Sequence, residues 1–260
     1  MILGLALSSA VAAMDEVSLG AISGRWAPAP IDGKRPAVVA LHGCGGLHAR
    51  SGALLARHRA MADLLNGRGF HVLLPDSFTP RGIRQLCTIP LTERELRAAD
   101  RAADIHASLE WLAARADVDA ARIVVLGWSH GGSAVLAALN HKLGPQPLQA
   151  RAAVAFYPGC SPYAQRPGTY LPVAPLLILI GALDDWTPPA PCIELSKWTP
   201  KVIVRVYAES HHGFDAPSTP LRVRTDVPTA RGSGVTVGSN PAARRAAYEE
   251  MFQFLERELR

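Results

Sequence analysis

The 260-residue sequence has no apolar stretch near the roughly 20 residues that a bilayer-spanning helix needs, so no integral membrane segment is expected. It also has no repeat, no single-letter run and no block of like charges. Those absences exclude solenoid architectures and charged interaction tails. Lysine is scarce, at Lys34, Lys142, Lys197 and Lys201 alone, and the arginines behind the net charge of +5 are interleaved with acids, as in "ERELRAADRAAD". Scattered basic residues form no stripe, so nucleic acid is not an expected partner. Cysteine is sparse too. Cys44, Cys87, Cys160 and Cys192 include no CxxC pair, which argues against a zinc ribbon or a thioredoxin-like motif.

Apolar residues make up 48% of the chain, enough at this length for one large core. The first residues, "MILGLALSSAVAAMDE", run from apolar to small, with alanines at spacings a signal peptidase accepts, ending near Ala12 or Ala13. Residues 1–13 are therefore expected to be the remnant of a secretory signal, and residues 14–260 a single domain. That expectation places the protein in a periplasm or outside the cell. The missing Lys or Arg ahead of the apolar run keeps a cytoplasmic location as the alternative. Four cysteines suit two disulfides in an oxidising compartment, with three possible pairings, and suit buried free thiols equally well.

From about residue 36 onward, strand-length apolar runs alternate with helical patterns. "AVVALHG" (37–43), "FHVLLPD" (70–76), "RIVVLGW" (122–128), "AAVAFYP" (152–158), "PLLILIG" (175–181) and "KVIVRVY" (201–207) read as strands buried on both faces. Between them, a helix is expected around 50–66, ending where Gly67 or Gly69 supplies a left-handed cap. Another is expected over 92–115, opened by a capping box of Thr92 and Glu95. The last begins with Asn240 as N-cap and Pro241 at the first helical position. Such alternation implies an α/β fold with a mostly parallel, twisted sheet and helices on both faces. An antiparallel edge hairpin is expected before residue 36, and a loop or hairpin excursion over 222–240.

Chemistry gathers at the carboxyl ends of parallel strands. Gly127-Trp128-Ser129-His130-Gly131 lies at such an end and matches the G-x-S-x-G nucleophile elbow, in which glycines let strand and helix close around an exposed serine. A serine hydroxyl needs a base and an acid, expected downstream in the order Ser, Asp/Glu, His. "LILIGALDDWTPP" offers Asp184 or Asp185 just past one strand, and "VRVYAESHHGFD" offers His211 or His212 just past the next. "ALHGCGGL" ends an earlier strand in a glycine-rich turn whose Cys44 amide, with that of His130, could form an oxyanion hole. That turn lacks the Lys-Ser/Thr of a phosphate-binding loop and the spacing of a dinucleotide fingerprint.

Together "LHGCGGL", "LLPDSFTPRG", "LGWSHGG", "FYPGC", "LIGALDDWTPP" and "HHGFD" resemble the dienelactone hydrolase family of the α/β-hydrolase fold, over about residues 36–258. The family pattern selects Asp184, three residues after Gly181, and His212, ahead of Gly213-Phe214, with Asp185 and His211 as second choices. The family's namesakes carry cysteine in the elbow, whereas Ser129 stands here, which favours ordinary ester chemistry. Arginines of the family hold the lactone carboxylate, and Arg81 lies in the corresponding loop; a solvated arginine is the competing reading.

The expected activity is hydrolysis of a small-molecule carboxylic ester or lactone through Ser129, His212 and Asp184, with no metal or organic cofactor. Phe78, Arg81, Trp128, Trp186 and Phe214, in loops at the same edge, are candidate pocket residues that could equally be packing. A peptidase or an acyltransferase would share every catalytic residue, and a non-catalytic binding protein on this fold is a third option. The motifs put Cys44 near Cys87 and Cys160 near Cys192, making these the pairings to try first.

Overall fold

All six apolar runs form strands. They are β3 (Arg35–Leu41), β4 (His71–Asp76), β5 (Val118–Trp128), β6 (Ala152–Phe156), β7 (Leu176–Gly181) and β8 (Val202–Tyr207), paired parallel throughout. The computed structural model describes residues 14–141, 150–229, 232 and 234–260, so residues 1–13, read as a signal remnant, lie outside the described residues. Every residue of β4, β6 and β7 is buried, the pattern of strands covered on both faces. The antiparallel pair β1 (Asp15–Leu19) and β2 (Ile22–Ala27) turns at Gly20 and joins β4 antiparallel, which forms the expected edge hairpin. The eight strands run in the order β1-β2-β4-β3-β5-β6-β7-β8. β8 closes the far edge, where Arg205 bonds Glu250, a charged guard against edge-to-edge pairing.

The helices are α1 (Ala56–Asn66), α2 (Ala102–Ala113), α3 (His130–Leu139), α4 (Pro189–Trp198) and α5 (Pro241–Glu258). α2 packs on β5 and α3, α3 on β5 and β6, α1 on β4, α4 on β8 and α5 on β6 and β7. α5 starts as expected: the Asn240 carboxamide oxygen accepts from the Ala243 amide at 3.2 Å, and Pro241 occupies the first turn. Its buried Ala243, Ala247, Met251 and Leu255 recur at helical spacing on one face.

Two helix expectations are corrected. The capping box of Thr92 and Glu95 does not open a helix; Leu91–Glu93 make one 3-10 turn, Arg94 is extended, and the helix begins only at Ala102. Local capping chemistry loses here to tertiary contacts, because Leu96 is buried with Cys44, Phe78, Leu86 and Cys87 and draws the segment into a loop. α1 begins later than residue 50, at Ala56, and of the two glycines after it Gly69 takes the left-handed conformation (φ 79°) while Gly67 stays right-handed.

Strand order places the site. From β3 the chain steps to β4 on one side, then crosses back to β5 on the other, so β3 and β5 are neighbours from which connections diverge. A crevice opens at the carboxyl ends of such a pair. The excursion after β8 includes a small antiparallel pair, β9 (Arg222–Arg224) with β10 (Val235–Val237), and returns to the same edge.

Both cysteine pairings tried first are disulfides, Cys44–Cys87 and Cys160–Cys192, and no cysteine is free. They close loops of 43 and 32 residues. Chain-entropy estimates give stabilisation of about 4 kcal/mol for each. Alkylation of the unfolded, non-reduced protein should therefore modify no thiol, and reduction should lower the melting temperature by roughly 10 °C or more. Four modified cysteines in the non-reduced sample would refute both.

Candidate active site

Ser129 is the residue between β5 and α3, and its backbone is left-handed (φ 52°, ψ −115°), a strained conformation for a residue with a side chain. The turn survives because the chain on either side closes tightly. A methyl group on Gly127 would collide with the Gly131 carbonyl, and one on Gly131 with the Leu41 carbonyl of β3. Only glycine fits at either place. The half-buried serine is thereby lifted off the sheet, and its amide donates to the Phe156 carbonyl at 2.9 Å.

The loops after β7 and β8 converge on it. His212 Nε2 lies 3.0 Å from Ser129 Oγ, and His212 Nδ1 lies 2.8 Å from Asp184 Oδ2. Asp184 is buried, and its Oδ1 accepts from the amides of Trp186 (3.0 Å) and Thr187 (2.8 Å). Two amides aimed at one oxygen leave the other for the imidazole, which fixes the ring's orientation. The second choices sit elsewhere. Asp185 is exposed and takes the amide and hydroxyl of Thr236 at 2.8 Å each, tying down β10, while His211 Nδ1 lies 3.0 Å from the Leu183 carbonyl.

The turn after β3 reaches the same place. A methyl group on Gly43 would stand 3.2 Å from the Trp128 carbonyl and 3.5 Å from Ser129 Cβ, so the Gly43-Cys44 turn lies against the elbow. His130 is the first residue of α3, where an amide has no acceptor inside the helix and the helix dipole favours negative charge. The Cys44 side chain is anchored by its disulfide, and its carbonyl accepts from the Leu86 amide at 2.7 Å.

The pocket expectations divide. Trp186 is half-buried, its ring 4.7 Å from that of His212, and stands at the site. Phe78 is 1% exposed, packed on His42, yet borders an open trough of about 1150 Å³ that runs from Gly45 and Cys87 to Arg224. Trp128 and Phe214 have no exposed surface and are corrected to core residues, stacked with or tilted against Phe156. Arg81 is corrected as a carboxylate ligand: the residue is exposed, as the competing reading expects, but its guanidinium pairs bidentately with Asp104 at 2.7 and 3.1 Å and donates to the Ser77 carbonyl, so it is not aimed at a substrate.

Three supports carried no motif signal. The Thr187 hydroxyl lies 2.9 Å from the Tyr157 carbonyl, 3.0 Å from Asp184 Oδ2 and 3.1 Å from His212 Nδ1. Asp215, with no exposed surface, accepts from Trp128 Nε1 (2.8 Å) and the Tyr157 hydroxyl (2.6 Å), and Arg57 lies 3.4 Å away. Burial keeps the Tyr157 phenol protonated, so it donates. Asp215 thus bolts the His212 loop to Trp128, the last residue of β5 and the neighbour of Ser129. Arg101, also without exposed surface, donates to the His42 carbonyl just ahead of the Gly43-Cys44 turn. An acid three residues after His212 was visible in "HHGFD", but nothing local distinguishes a buried hub from a solvated side chain.

The family model of the dienelactone hydrolase family matches residues 24–259. The chain belongs to the dienelactone hydrolase family. A dienelactone is a cyclic ester, and this protein is a hydrolase acting on ester bonds. Similar solved structures include a putative dienelactone hydrolase from Klebsiella pneumoniae, 20% identical with a TM-score of 0.68, covering 94% of this chain and 98% of that one. A dienelactone hydrolase-like promiscuous phosphotriesterase from metagenomic libraries is 20% identical at TM-score 0.67, covering 95% and 98%. Esterase 2 of Thermogutta terrifontis is 20% identical at TM-score 0.61, covering 94% and 91%. At that identity they show the α/β-hydrolase fold. No curated protein matches the sequence. Among the described residues no group of His, Cys, Asp and Glu is placed to hold a metal, and no helix is long and apolar enough to cross a membrane.

Burial, aided by Arg101 for His42 and His130 and by Arg57 for His58, holds three histidines around the site neutral, the latter two with pKa values of about 3. In the unfolded chain each takes up a proton near pH 6.5. Between about pH 6.5 and 3 the unfolded state therefore binds more protons at His58 and His130, with His42 adding to the same trend below pH 6.5, and stability falls as pH falls, by up to about 1.4 kcal/mol per pH unit for each histidine. Urea midpoints should drop steeply from about pH 7 to about pH 5, above the carboxylate range, and His58→Gln should flatten the slope. A midpoint constant over that interval would contradict the assignment.

Proposed function

We propose that the protein cleaves a carboxylic ester or lactone of a small molecule through Ser129, His212 and Asp184, by way of an acyl-enzyme. The observation that carries this reading is the unbroken chain of contacts from Ser129 Oγ through His212 to Asp184. Ser129 Oγ attacks the carbonyl carbon while His212 Nε2 takes its proton, and the Cys44 and His130 amides receive the oxyanion. Collapse expels the alcohol oxygen, protonated by His212. Water then attacks the ester of Ser129, again losing its proton to His212, and the acid and free serine are restored. Asp184 holds the tautomer with the proton on Nδ1 and stabilises the imidazolium. Each oxyanion donor is worth about 3 kcal/mol in the barrier. Two disulfides, with the N-terminal pattern, support an oxidising compartment, a periplasm or the cell exterior.

A fluorophosphonate probe should label Ser129 in the folded protein and lose that label on unfolding. Ser129→Ala should abolish cleavage of p-nitrophenyl butyrate. Asp184→Asn should lower kcat on the order of 10⁴-fold, whereas Asp185→Asn, which only releases Thr236, should leave kcat within about threefold. Ester cleavage that survives Ser129→Ala, or an Asp185 variant more damaged than the Asp184 variant, would overturn the assignment.

A further inference from the structure

Arg101 is a fully buried cation without a carboxylate in contact. Its Nε donates to Ser77 Oγ at 3.0 Å, and its Nη1 serves both the His42 carbonyl at 2.9 Å and His130 Nδ1 at 3.2 Å. The nearby acids are engaged elsewhere, Asp104 with Arg81 and Asp76 with His48. Burial lowers its pKa to about 10, so the guanidinium keeps its charge at neutral pH. It occupies the residue before α2, where Ser, Asp or Asn would be preferred, and makes no capping bond. For the fold alone, an apolar side chain of the same size would serve at least as well, because removing a guanidinium from water is strongly unfavourable.

Its three partners explain the choice. Ser77 follows β4, His42 leads into the Gly43-Cys44 turn after β3, and His130 opens α3. Arginine has only donors, so His130 Nδ1 is the acceptor and the ring proton sits on Nε2. One nitrogen therefore grips both the segment that carries the Cys44 amide and the one that carries the His130 amide. The Phe78 ring covers the guanidinium at 5.3 Å.

We propose, on the strength of the serine-hydrolase reading above, that Arg101 is a positioning residue for the oxyanion hole. It fixes the separation of the Cys44 and His130 amides by holding the His42 carbonyl and the His130 ring, and it lends its buried positive charge to the oxyanion formed between them.

The test compares Arg101→Met and Arg101→Lys with the wild type. Active sites are counted by fluorophosphonate labelling run to completion, and kcat per labelled site is measured on p-nitrophenyl butyrate. Inhibition by a trifluoromethyl ketone, whose adduct carries the oxyanion, gives Ki. Arg101→Met should lower kcat per site about 30-fold with KM within about twofold, and weaken the ketone by a similar factor. Arg101→Lys, which keeps the charge but cannot grip both segments, should recover part of both. A structural role alone would lower the melting temperature and the labelled fraction while leaving per-site kcat and Ki unchanged, and that result overturns the proposal. Should Arg101→Met not fold, wild-type values for Arg101→Lys overturn it equally. An unlabelled Ser129 in the wild type overturns the serine-hydrolase reading and this one with it; normal labelling with unaffected Arg101 variants overturns only this one.

Discussion

The close approach of β3, β5 and α3 at Gly127 and Gly131 is the constraint on which the site depends. There is no room for a Cβ at either position. That contact holds Ser129 in a conformation a residue with a side chain rarely adopts, and the surrounding strands over-determine it. It also presses the Gly43-Cys44 turn against the serine. The Ser129 turn and the Gly43-Cys44 turn are thus brought together by one packing event between main chains.

Around that centre, Asp184 and His212 arrive on separate loops and need their own restraints. Asp184 is oriented by two amides of its own loop, and the His212 loop is fastened by Asp215 to Trp128 and Tyr157. A buried carboxylate with several donors is stable because each donor is charge-assisted, and losing one exposes the full desolvation penalty. The fold thereby converts three strand ends into one hydrogen-bonded unit.

The strands were legible because both-face burial writes itself as continuous apolar runs, and the elbow because its glycines are steric necessities. Asp184 and His212 were separable from Asp185 and His211 only through family spacing; the structure supplies the physical difference, one pair buried and convergent, the other turned outward. What stayed hidden depends on partners far away in sequence. Thr92 and Glu95 carry capping chemistry that Leu96 overrides by burying itself beside the Cys44–Cys87 disulfide. Trp128 and Phe214 read as pocket aromatics from their place near motifs, but packing on Phe156 takes them into the core. Arg101 sat within an ordinary charge-rich stretch, and nothing local marks it as the arginine that, among the described residues, is drawn fully inside.

The disulfide at Cys44 has a mechanical meaning. The segment after it is clamped at Cys87 by a covalent bond and at Arg101 by the His42 carbonyl, both onto the same turn. The opposite wall, β9 and β10, hangs on hydrogen bonds to exposed Asp185 and on a small apolar cluster of Val227, Val235 and Val237. Segments with few buried contacts open at lower free energy than the body of a fold. The trough between them is thus bounded by a covalently fastened turn on one side and by a hydrogen-bonded hairpin on the other, and widening it would cost less on the hairpin side.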